Sequence, residues 1–116
     1  MALRNDLEAL LALDEASFEA AEGYVVEFKA REVEVSTRRP HGLVYSLILR
    51  PRAGGPPLVR FDNAHAVGRH RAFDHWHRTT NDPGRPYGFV SAAQLIDDFW
   101  HAVKRALDEK GIPNDL

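Results

Sequence analysis

His75 and His77 stand two positions apart in Phe73-Asp74-His75-Trp76-His77-Arg78-Thr79. In an extended chain alternate side chains share a face, so both imidazoles fall on one side and Asp74, Trp76 and Arg78 on the other. Upstream, Val59-Arg60-Phe61-Asp62-Asn63 sets Arg60 and Asp62 on the face opposite Phe61. Histidine titrates near neutrality, so one copy can accept a proton while another donates one. Arginine grips phosphate through a planar fork. Metal-free RNA cleavage needs this set: a base for the 2′-hydroxyl, an acid for the leaving oxygen, and a cation beside the phosphate. His75 and His77 are the candidate base and acid. Asp62 or Asp74 can orient a histidine and favour its charged form. Arg60 and Arg78 are candidate phosphate clamps, with Arg69, Arg71 and Asn63 as further substrate contacts. Tyr87 can donate a hydrogen bond or stack on a base. This chemistry calls for no metal and no cofactor.

The same residues admit plainer readings. An Arg/His-rich strand is often a solvated sheet face laced with cross-strand ion pairs. The His-x-His pair can also ligate a metal, with His65, His70 or Asp74 as further ligands. No helical HExxH and no cysteine pattern stands beside it. Trp76 suits base stacking and core packing equally. Phe99 and Trp100 lie at core spacing, Asp97 and Asp98 read as a solvated helix face, and His101 reads as a surface residue. Gly54-Gly55 lacks the frame of a phosphate loop.

Charge is strongly segregated. Residues 38–88 hold nine Arg and five of the six His against three acids, Asp62, Asp74 and Asp82. Residues 1–37 carry three bases and nine acids, and residues 89–116 three bases and five acids. A formal net charge of −2 therefore conceals a basic middle, the mark of a surface that faces a polyanion. The chain has no cysteine, which rules out disulfides and thiolate metal sites. Acids interrupt every apolar run near the N-terminus, and no stretch approaches the roughly 20 apolar residues of a membrane helix. These features predict a cytoplasmic protein that does not enter the membrane.

The elements that must position the cluster follow from periodicity. Leu3, Leu7, Leu10, Leu11 and Phe18 recur at helical spacing, predicting a helix over 3–21 that stops at Gly23. Residues 24–36 read as extended, with a change of phase that predicts a bulge or break near Ala30-Arg31. Further strands are predicted at 43–50, at Leu58 to Asn63 and at Phe73 to Thr79. Ser91 and Gln94 have capping-box spacing, with Val90 placed as a staple. A second helix follows over 91–110, its stripe formed by Ile96, Trp100, Val103 and Leu107 and broadened by Leu95 and Phe99. The expectation is one α+β domain over 1–116. A small antiparallel sheet of about four strands, spanning about 24–79, packs with N- and C-terminal helices. Pairing register decides whether Arg60, Asp62 and the histidines meet, and sequence leaves it open.

The ordered motifs RFDN (60–63), DHWHR (74–78), PYGFVS (86–91) and QLIDDFW (94–100) resemble the TumE family, small toxins of bacterial toxin–antitoxin pairs. The resemblance covers about residues 43–107, and the first 40 residues contribute little to it. It implies a growth-inhibiting toxin of a type II pair whose antitoxin carries a helix-turn-helix domain. RNA or the translation machinery is the implied target. Arg60, Asp62, Asn63, Asp74, His75, His77, Arg78 and Tyr87 are the motif residues carried over. Their catalytic roles rest on the chemistry above. The stretch 64–72 is longer and richer in His and Arg than in shorter members. Together these readings predict a metal-independent endoribonuclease leaving a cyclic phosphate or 3′-phosphate end. The alternatives are a non-catalytic module whose basic face holds RNA or the antitoxin, and a metal-dependent enzyme. The acidic termini either fold over the basic face or support a homo-dimer.

Overall fold

A computed structural model describes residues 2–37, 41–63, 75–77, 85–86 and 88–116, with backbone alone at 2–6, 75–77 and 85–86. The elements run α1 (Ala2–Ala12), β1 (Ser17–Ala21), β2 (Tyr24–Glu32), β3 (Leu43–Pro51), β4 (Val59–Asp62), β5 (His75–His77), β6 (Arg85–Pro86) and α2 (Ala92–Glu109). The six strands form one antiparallel sheet in sequence order. Both helices contact the sheet, so the α+β class predicted from sequence is the observed one. The four expected strands correspond to β2 through β5, and β1 and β6 extend the sheet at its edges.

The helix predicted over 3–21 ends at Ala12 instead. The outer edge of β2 needs hydrogen-bond partners, and residues 14–21 supply them. The Ala30 N–H donates to Asp14 Oδ1 at 2.9 Å, and the Glu15 N–H donates to the Phe28 carbonyl at 2.7 Å. Glu15 takes a left-handed φ of 64°, which turns the chain out of the helix. The strand then reverses at Glu22-Gly23, where Gly23 has φ 82°. The phase change predicted near Ala30-Arg31 is met by the end of β2 at Glu32, which leaves Val33 and Val35 beyond the strand, and not by a bulge. Pairing of β2 with β3 is unbroken from Tyr24↔Pro51 to Glu32↔Leu43, and the irregularity lies in β1, between Glu19 and Ala21.

The core lies between the helices and one face of the sheet. Val26, Phe28 and Ala30 of β2, Leu43, Tyr45, Leu47 and Leu49 of β3, and Val59 and Phe61 of β4 are buried there. This period-two alternation is what a sheet covered on one side requires. From α2, Leu95, Phe99, Val103 and Leu107 are buried, while Ile96 and Trp100 pack at the margin. The Phe99 ring meets Phe28 edge-on at 5.5 Å and Phe61 at 5.9 Å, so one aromatic ties the helix to two strands. Ser91 caps α2 as predicted, its Oγ accepting the Gln94 N–H at 3.1 Å. Val90 is 75% exposed and does not act as a staple. The Gln94 side chain donates forward, to Asp98 Oδ1 at 2.8 Å.

Candidate functional site

The face of the sheet turned away from the helices carries the chemistry-bearing positions. In the β4–β5 pairing, Arg60 lies opposite His77, Phe61 opposite Trp76, and Asp62 opposite His75. Directly paired residues of an antiparallel ladder occupy the same face. Phe61 belongs to the buried core, so Arg60, Asp62, His75 and His77 occupy register positions on the other face. By the same register Trp76 holds a position on the helix-covered face.

The block continues across the sheet. Ser46 pairs with Asp62 and Lys29 with Ser46, giving the row Lys29–Ser46–Asp62–His75. Ile48 pairs with Arg60 and Glu27 with Ile48, giving the row Glu27–Ile48–Arg60–His77. The strands themselves set the first level of electrostatics. Arg60 Nε and Asp62 Oδ2 are 3.1 Å apart along β4, with the Arg60 side chain 44% exposed and that of Asp62 12%. Arg50 Nε donates to Glu27 Oε1 at 2.7 Å. Hydrogen bonding from Arg50 holds the Glu27 carboxyl below the usual glutamate range, and the same bond raises the Arg50 guanidinium. Arg52 is paired with Glu19.

Asn63 sits at the end of β4, 1% exposed. Its Oδ1 accepts the Tyr45 N–H at 2.9 Å, and its Nδ2 donates to the Leu43 carbonyl at 2.7 Å. Its own N–H donates to the Tyr45 carbonyl at 3.3 Å. The residue thus uses side chain and backbone together to fasten β4 to β3 just beyond Asp62.

Beside the row lies an open groove of about 320 Å³, lined by Lys29, Ala30 and Arg31 of β2, Val44, Tyr45 and Ser46 of β3, and Asp14 and Glu15. Lys29 and Arg31 lie within the acidic first third of the chain, whose overall charge balance masks them. Their signal was local: both occupy odd positions of β2, opposite in phase to buried Phe28 and Ala30.

Of the residues singled out from sequence, Arg60, Asp62, His75 and His77 are brought together in register. Arg69, Arg71, Asp74, Arg78 and Tyr87, together with His65 and His70 of the metal alternative, lie outside the described residues. Among the described residues no group of three or more His, Asp or Glu is arranged to hold a metal ion. None of the described helices is long and apolar enough to cross a membrane.

No curated protein and no solved structure matches the chain. A family model described as Toxin TumE matches residues 5–107. The match reaches back through α1 and the β1–β2 hairpin, well beyond the 43–107 covered by the motif resemblance. With nearly its whole length matched, the chain belongs to the TumE toxin family.

Proposed function

We propose that this toxin is a metal-independent endoribonuclease whose centre is the cross-strand block Arg60, Asp62, His75 and His77. The observation that carries the proposal is the β4–β5 register, with Arg60 opposite His77 and Asp62 opposite His75. His75 and His77 are two residues apart on one strand, a separation of about 7 Å, which lets the two imidazoles straddle a phosphodiester. One histidine takes the proton of the 2′-hydroxyl, and the 2′-oxygen attacks phosphorus. The other protonates the 5′-oxygen as the P–O5′ bond breaks. Arg60 stabilises the charge that gathers on the non-bridging oxygens. The products are a 2′,3′-cyclic phosphate, open to hydrolysis to a 3′-phosphate, and a 5′-hydroxyl end.

Within this reading Asp62 holds Arg60 on the face, and Asn63 is a positioning residue that keeps β4 in register. A toxin of this family implies an antitoxin partner. The proposed form is a helix-turn-helix protein of a type II pair, acting with the toxin in the cytoplasm.

The test is controlled induction in a bacterial host, comparing wild type with His75→Ala/His77→Ala at matched soluble levels. RNA ends are then mapped with and without a chelator. Growth arrest by wild type alone, with cyclic-phosphate ends that persist in chelator, is the expected result. Arrest by the folded double variant equal to wild type removes the histidines from the mechanism.

A second reading is a non-catalytic module that holds RNA or the antitoxin. It is favoured by the carboxylate partners that Arg50, Arg52 and Arg60 already have on this face. Under it, wild type binds with steep salt dependence and releases no cleaved product.

A further inference from the structure

We infer that Lys29 and Arg31 form a phosphate subsite for the RNA strand, so that its backbone crosses the sheet from β5 to β2 over Ser46. The inference rests on the ribonuclease reading and extends it to the path of the substrate. Three observations carry it. First, the row Lys29–Ser46–Asp62–His75 is continuous in register, so the groove and the proposed centre share one face and one line. Second, the groove of about 320 Å³ opens over Lys29, Arg31 and Ser46. Third, Arg50, Arg52 and Arg60 are each ion-paired, whereas among the described residues no ion pair is formed by Arg31, and Lys29 acts on Glu27 only through space. Both side chains are exposed.

β2 and β5 are three strand spacings apart, about 14 Å, which a few nucleotides of extended backbone cover. An unpaired strand is the fitting substrate, because in-line attack by a 2′-oxygen needs a backbone free to leave A-form geometry. Asp14 and Glu15 line the same groove, so a phosphate is held there only on the side of Lys29, Arg31 and Ser46. Asp14 is held there by its bond from the Ala30 N–H.

The test is anisotropy of a labelled single-stranded RNA oligomer across a salt series. It uses His75→Ala/His77→Ala as parent, so that binding is read without turnover. Adding Lys29→Gln/Arg31→Gln should weaken binding and flatten the log–log salt slope by about 1.4, from roughly 0.7 per lost phosphate contact. The swap Lys29→Arg/Arg31→Lys should restore the slope, and circular dichroism should show the parent fold in every variant. An unchanged slope and affinity in the glutamine variant overturn the subsite and leave the ribonuclease reading standing. A parent that binds no RNA at low salt overturns the subsite together with that reading.

Discussion

Arg60 Nε stands 3.1 Å from Asp62 Oδ2 on the same face of β4. The pair is half open to solvent at the arginine and nearly closed at the aspartate. If Asp62 acts through Arg60, the two should be non-additive. Arg60→Ala should lower RNA cleavage by about 10²–10³. Asp62→Ala should cost less, and Arg60→Ala/Asp62→Ala no more than Arg60→Ala alone. Single-turnover rates for the four proteins decide it. Losses that multiply would show that Asp62 works independently of Arg60.

The two histidines should divide the proton transfers. Each alanine variant should lose about 10²–10⁴ in kcat/KM. A bell-shaped pH profile in wild type should lose one limb in His75→Ala and the other in His77→Ala. The same limb lost in both variants contradicts the division of roles.

Asn63 gives a prediction about stability. Asn63→Ala strands the Tyr45 N–H and the Leu43 carbonyl, both now bonded by its amide. Leaving such buried groups unsatisfied costs about 3 kcal/mol in all. Chemical denaturation should show a lower midpoint with little change in slope. A loss of a few tenths of a kcal/mol would mean that water enters the end of β4 and replaces the amide.

Glu27 gives one about pH. Its carboxyl is held below the ordinary glutamate value of 4.5 in the folded protein, first by the hydrogen bond from Arg50. The unfolded chain therefore takes up the proton sooner. The stabilisation is fully present above 4.5 and fades as pH falls through the lowered folded value. The gap in Tm between wild type and Glu27→Gln should be constant near neutrality and close on acidification. A gap that widens in acid reverses the sign and refutes the linkage.

Much of the scaffold was legible in the chain because its signals agree with one another. In α2 the cap at Ser91, the apolar period and Gly111 all point to the same helix. In β3 a nine-residue strand alternates cleanly between buried and half-buried positions. β1 was not legible, because Leu11 and Phe18 fit a helical period and an edge strand gives weak alternation. Ser17, Phe18 and Glu19 are all exposed, and only Ala21 is buried. For the site, strand alternation alone assigns Arg60, Asp62, His75 and His77 to faces. It does not supply the register, which depends on where the chain returns after residue 63. Lys29 and Arg31 were hidden by averaging over an acidic segment.

A sheet in strict sequence order also constrains when the molecule becomes complete. Each strand pairs only with neighbours in the chain, so β2 and β3 can close their ladder while later residues are still on the ribosome. The row from Lys29 to His75 cannot exist until β5 has emerged, and the core stays open until α2 follows. The proposed centre is therefore among the last parts to assemble. With that block as its centre, the nascent toxin would remain unarmed for most of its synthesis, and the antitoxin would have until then to be in place.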